Sequence, residues 1–159
     1  MIKRIILWLL IITCMWSIFF LSSQEATESD KVSEGFIVCL IKFFDFKKTL
    51  SDGEVLEIAD VFNSAVRACA HFTIFAILGF LISLLLNDYG FSNIKTIVYS
   101  FVLTVFYALS DELHQSFVPG RSAQLVDLIT DSCGAISGIL SSVFILFIIN
   151  KIRKKNHTF

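Results

Sequence analysis

The sequence predicts an all-α integral membrane protein, with four transmembrane helices and an amphipathic segment on the outer face. Three observations carry this reading. Of 159 residues, 55% are hydrophobic and only 17% are charged, with a single proline and 17 phenylalanines; soluble domains are nearer a quarter charged. Four apolar stretches, residues 5–21, 72–86, 94–109 and 135–149, each approach the roughly 20 residues that cross a bilayer's hydrocarbon, and none contains a proline. Basic residues flank the first and last of these stretches, the pattern of cytoplasmic ends. The same composition excludes intrinsic disorder. A net charge of −1, from 13 Lys+Arg against 14 Asp+Glu, leaves no basic face for nucleic acid.

The chain reads as one membrane domain over residues 1–159, with spans at about 5–22, 68–86, 94–113 and 127–149. Lys3 and Arg4 precede the first span, which ends in Trp16, Phe19 and Phe20, placed like an interfacial aromatic belt. A cleaved signal peptide begins in the same way. The run is long for one and no small-x-small site precedes Gln24, so a retained helix is expected.

The outer segment, residues 23–67, is net acidic and is expected to face outward. Phe36, Ile37, Leu40, Ile41, Phe43 and Phe44 recur at helix-like spacing, with Lys42, Lys47 and Lys48 between and after them. That pattern suits an amphipathic helix on the outer surface or, equally, a lid packed on the bundle. Val55, Leu56, Ile58, Ala59 and Phe62 predict a second helix that runs into the second span. Asn87 to Asn93, with Gly90 as turn residue, is a tight cytoplasmic loop. Lys151, Arg153, Lys154 and Lys155 follow the last span, so both termini are expected in the cytoplasm of a multi-pass cell-membrane protein. The four cysteines at 14, 39, 69 and 133 fit no metal-ligand spacing and read as small buried hydrophobes, with a Cys69–Cys133 disulfide as the alternative.

Polar residues concentrate in SDELHQSFVPGRSAQLVDLITDSCGAISG, residues 110–138. Asp111, Glu112, His114 and Gln115 fall where the third span emerges. Pro119 and Gly120 break the chain, Arg121 follows, and Asp127 and Asp131 open the fourth span. Residues three or four apart share a helix face, so Asp111 lines up with His114 or Gln115, and Asp127 with Asp131, Gly134 and Gly138. The last two make a GxxxG step for close helix packing. Arg67 and His71 stand four apart at the outer end of the second span.

Charges at membrane depth cost about 2.5–3.5 kcal/mol each on insertion scales, so the cluster needs pairing, water or use. Four readings stay open. In the first, Arg121 pairs with Asp127 or Asp111 and Arg67 with Glu112, and the network only docks helices. In the second, the arginines hold the phosphate of a lipid head group, since the planar guanidinium fork suits phosphate oxygens. In the third, carboxylates and histidines hold a divalent cation, although no HExxH or comparable signature supports one and no metal or cofactor is expected. In the fourth, His114 acts as acid or base oriented by Asp111, with Glu112 beside them. Ser110, Ser116 and Ser122 sit in no nucleophile-elbow context.

At these residues the chain resembles the VanZ family of small bacterial membrane proteins, named for a protein linked to low-level teicoplanin resistance. The resemblance rests on SSQ at 22–24, RACAHFTIFAILG at 67–79 and YALSDELHQSFVPGRSAQLVDLITDSCGAISG at 107–138. It implies that the family's polar signature falls on Arg67, His71, Asp111, Glu112, His114, Gln115, Arg121, Asp127 and Asp131. Ala68 stands where the family often has a basic residue, and Phe75 where tyrosine is common. The implied role lies in the cell envelope: glycopeptide susceptibility or the handling of a lipid-linked wall component. The implied partners are membrane lipid and either a lipid-linked cell-wall precursor or a glycopeptide. The alternatives are an enzyme acting on a polyprenyl or phospholipid head group, with His114 carrying the proton and Arg121 the phosphate, and a non-catalytic partner-binding subunit.

Overall fold

The computed structural model of the chain describes residues 1–45 and 50–156. Among them are five helices and no strand: α1 (Ile2–Ser22), α2 (Ala26–Phe44), α3 (Asp52–Asp88), α4 (Asn93–Gln115) and α5 (Leu125–Asn156). All but α2 are long and apolar enough to cross a membrane. Their most apolar windows are only 22–33% buried inside the protein, so most of the apolar surface faces outward, where hydrocarbon must cover it.

The second span proves to be the last half of a longer rod. Ser51 starts α3 with a capping box, its hydroxyl accepting from the Glu54 N–H (3.4 Å) while the Glu54 carboxylate accepts from the Ser51 N–H (2.8 Å). No proline or special backbone follows before Asp88, so α3 runs 37 residues. At a helical rise of ~1.5 Å per residue it is about 55 Å long, against roughly 30 Å of hydrocarbon. The expected second helix running into the second span is therefore one continuous α3.

Helix α2 lies antiparallel on the N-terminal part of α3. Lys42 pairs with Asp52 (2.9 Å) near one end and Asp30 with Arg67 (2.9 Å) near the other, while Ser33 and Ile37 are buried. Of the two placements left open, the packed lid matches this contact, although Val32, Phe36, Leu40, Phe43 and Phe44 remain exposed. Lys47 and Lys48 lie outside the described residues.

Central α3 touches every other helix. Its Phe75, Leu78, Ile82 and Leu85 join Leu7, Ile11 and Ile18 of α1 and Ala108 of α4 in the core. At the far end of the bundle Lys3 and Arg4 both reach Asp88 (2.8 Å each), and the Arg4 guanidinium sits 4.5 Å from the Tyr89 ring centroid. Gly90, at φ +87°, makes the turn into α4. Against α5, α3 runs parallel: Phe72 faces Gly134, Ala76 faces Gly138, and Ser142 donates to Ser83 (2.9 Å) further along. A Cβ on either glycine would strike an α3 carbonyl oxygen, so the GxxxG step lets two backbones touch.

The cysteines correct the sequence reading. Cys39, Cys69 and Cys133 are exposed on the protein surface and Cys14 is half-buried; all four are free, including the pair considered for a disulfide. Cys14, Cys69 and Cys133 are on spanning helices, where an apolar residue can meet lipid as readily as a core, and Cys39 is on the exposed side of α2.

Candidate functional site

The polar residues meet where α1 ends, α3 passes, α4 ends and α5 begins. The α4–α5 connection is shaped by the single proline and by Gly120, whose φ of +76° favours glycine. The Pro119 carbonyl accepts from the Ala26 N–H at 3.5 Å, latching this loop to the start of α2. A Cβ on Gly120 would also stand 3.1 Å from that of Ala26. Gly120→Ala is expected to cost about 1–2 kcal/mol for the left-handed backbone and to loosen the latch, measured as a lower melting temperature in detergent; an unchanged melting temperature would show that the loop is not held this way.

Three of the acids are engaged away from the surface. Asp111 accepts from the Ser22 hydroxyl (2.9 Å) and the Gln115 amide (2.8 Å). Glu112 accepts from the Gln124 N–H (2.8 Å), tying the end of α4 to the start of α5; its other oxygen is buried without a hydrogen bond. Asp131 is 0% exposed and stands 3.4 Å from His71 Nδ1, close enough for an ion pair but not aligned as a hydrogen bond. A carboxylate so placed relies on that neighbour for its charge balance.

The expected arginine pairs differ from those found. Arg67 reaches Asp30 of α2, not Glu112, and Arg121 donates through Nη1 to the Gln115 carbonyl (3.3 Å), not to Asp111 or Asp127. The reason is α2: it folds over the bundle and brings Asp30 to Arg67, while Asp111 is already filled by Ser22 and Gln115. Arg121 Nε is buried with no hydrogen bond. Burial, then the nearby Arg67 charge, holds the Arg121 guanidinium below its ordinary pKa.

His114 also departs from expectation. Its Nε2 lies 3.0 Å from the Ser23 hydroxyl and its ring stacks on Phe19 at 4.6 Å. Asp111 takes Gln115 as its partner, so of the two alignments on that helix face the structure contains the Asp111–Gln115 one.

Between α3, the 116–124 loop and the start of α5 lies a cavity of about 370 Å³, walled by Arg67, His71, Gln115, Arg121 and Asp127 among others. Its wall includes Ser64 and Ala26 as well, which sequence reasoning missed together with Asp30 and Gln124. A signal for the α2 contribution did exist: Ala26, Asp30, Ser33 and Ile37 recur at four, three and four residues, one stripe of a helix. Among the described residues no group of three or more His, Cys, Asp or Glu is arranged to hold a metal. The arrangement admits an anion: two guanidinium groups and a histidine border the cavity against one lining carboxylate, Asp127, while Asp111, Glu112 and Asp131 are not among its lining residues.

The VanZ/LLP1 family model matches residues 7–148. The chain belongs to this family. The match takes in both sides of the cavity and every residue of the polar cluster. No curated protein and no solved structure matches significantly. Within this VanZ/LLP1 chain Arg67, His71, Gln115, Arg121 and Asp127 of the signature border the cavity, Asp111, Glu112 and Asp131 contact those or other lining residues, and His114 stands apart on Phe19 and Ser23.

Proposed function

We propose that the protein works in the cell envelope, with both termini cytoplasmic, by holding the phosphate-bearing head group of an envelope lipid, such as a lipid-linked wall component, in the outer cavity. One observation carries this reading: Arg121 presents a buried, unbonded Nε beside a cavity that Arg67 and His71 also border. A buried donor without an acceptor costs about 1–3 kcal/mol, and a phosphate oxygen supplies that acceptor with a charge-assisted bond. Of the four acids in the cluster, Asp111 is engaged by Ser22 and Gln115, Glu112 by Gln124 through one oxygen, and Asp131 faces His71, which leaves Asp127 as the carboxylate on the cavity wall.

The planar fork decides the test, because lysine keeps the charge and loses the geometry. Arg121→Lys is expected to weaken binding of a polyprenyl monophosphate in detergent at least tenfold with an unchanged melting temperature. Wild-type affinity in that variant would remove the bidentate site. Altered glycopeptide susceptibility would be a consequence of lipid handling, so cells carrying the gene should differ from cells lacking it in teicoplanin susceptibility, and equal susceptibility would detach that role from this protein.

A second reading, hydrolysis of a pyrophosphate head group in which water attacks the terminal phosphorus and the polyprenyl monophosphate leaves, is favoured by His71, which borders the cavity with buried Asp131 behind it. Here His71, not His114, carries the proton. Release of inorganic phosphate from a polyprenyl pyrophosphate that His71→Gln abolishes would establish this reading; no release by the wild type would dismiss it.

A further inference from the structure

A second cavity, of about 130 Å³, lies between α1, α2 and α3. Ile18, Leu21, Val32 and Ile74 supply its apolar wall, and its cationic wall is Arg67, His71 and Arg121, the same three residues that border the polar cavity. The two arginines and His71 therefore form a partition between a more polar space and a mainly apolar one. At the apolar rim Leu21 and Val32 are 49% and 63% exposed, so this side opens at the surface where α1 leaves the membrane.

We propose that this slot receives the first carbons of the hydrocarbon chain of the ligand whose phosphate rests on Arg67, Arg121 and His71, so that the protein selects a single-chain lipid phosphate. The inference rests on the head-group reading above and adds the chain. Continuity argues for it. A phosphate on the partition has its ester oxygen beside the slot, and burying methylenes there is favourable by ~0.8 kcal/mol each. No carboxylate lines the slot; Ser22, Gln24, Ser29 and Ser33 also border it, but most of its wall surface is apolar, and the Ser22 and Ser33 hydroxyls are already donated to Asp111 and to the Ser29 carbonyl. Its size, about 130 Å³ against about 370 Å³ for the head-group side, suits one chain over two. Arg121, in the connecting loop, lines both spaces.

Two variants plug the slot from positions where bulk meets no core packing: Val32→Trp on the exposed rim and Ala70→Trp on the exposed face of α3. Binding is read by native mass spectrometry for polyprenyl monophosphate and for diacyl phosphatidic acid, and by line broadening in phosphorus NMR for inorganic phosphate. Wild type should broaden the phosphate signal and favour the polyprenyl lipid over phosphatidic acid at least tenfold. Each tryptophan variant that keeps the wild-type melting temperature should lose at least tenfold in polyprenyl occupancy while broadening the phosphate signal as before. Unchanged polyprenyl occupancy in both variants, or equal occupancy of the two lipids by wild type, would overturn the slot and leave the head-group site standing. Failure of wild type to broaden the phosphate signal, with Arg121→Lys binding lipid normally, would instead overturn the head-group reading.

Discussion

His71→Leu is expected to lower the unfolding free energy by about 1–3 kcal/mol, the cost of leaving a buried polar group without its partner. The stranded group is Asp131, fully buried, with neither oxygen hydrogen-bonded and His71 Nδ1 at 3.4 Å. The histidine itself is 26% exposed at its side chain, so its own loss of packing is the smaller part. Replacing both residues by apolar ones removes the polar group together with its partner, and such exchanges can be nearly neutral. His71→Leu with Asp131→Val should therefore stand closer to wild type than His71→Leu alone, by more than the ~0.5 kcal/mol within which independent sites add. Unfolding in a graded detergent titration checks this, and a double variant that loses the sum of the two single losses would show that the residues are not a pair.

The second large effect is expected at the α3–α5 contact. A Cβ on Gly138 would overlap the Ala76 carbonyl, and one on Gly134 the Phe72 carbonyl. Neither neighbour is a flexible side chain, so relief requires the helices to move apart. Overpacking a tight core typically costs about 1–3 kcal/mol, which is expected for Gly138→Ala, and Gly138→Leu should abolish recovery of monodisperse protein. Gly35 supplies the contrast: nothing stands within 4 Å of a Cβ there, so Gly35→Ala in the middle of α2 should gain about 0.5–1 kcal/mol from backbone entropy. Equal behaviour of Gly35→Ala and Gly138→Ala in melting experiments would contradict the close packing. Gly134 is one turn from Asp131 and faces the residue after His71, so separating these helices also separates the pair behind the cavity. Lipid binding should fall with stability in the Gly134 and Gly138 variants, whereas in Arg121→Lys it falls alone.

Spans were legible in the sequence because bilayer thickness imposes a length that no packing detail overrides. Residues 72–86 and 135–149 stood out as continuous apolar runs, and α3 and α5 contain them. The continuation of α3 back to Asp52 was half legible: Val55, Ala59 and Phe62 showed helical spacing, but only the capping box at Ser51 says that one rod carries both halves. Hydropathy does not tell lipid from protein, and so the cysteines and the α2 face were placed less well than the spans.

The candidate site was legible as a set of residues and not as a set of partners. Asp111 and Gln115 are one turn apart on α4, and local spacing found them. Arg67–Asp30 spans 37 positions and depends on α2 folding over α3, and Ser22–Asp111 spans 89 and depends on α1 ending beside α4. Opposite charges in one region admit many pairings, and only tertiary geometry chooses among them. His114 was attractive as the histidine of the densest motif; its ring turns toward Phe19 and Ser23, while His71, in a less conspicuous stretch, meets the cavity.

Native mass spectrometry of the protein extracted in gentle detergent, with Arg121→Ala beside wild type, tests the proposed head-group site most directly. A discrete phosphate-bearing lipid adduct on wild type, missing from an Arg121→Ala variant that keeps its melting temperature, is the result expected. Bare protein in both samples, with Arg121→Ala melting lower than wild type, would contradict the account and assign the arginines and acids to docking the helices alone.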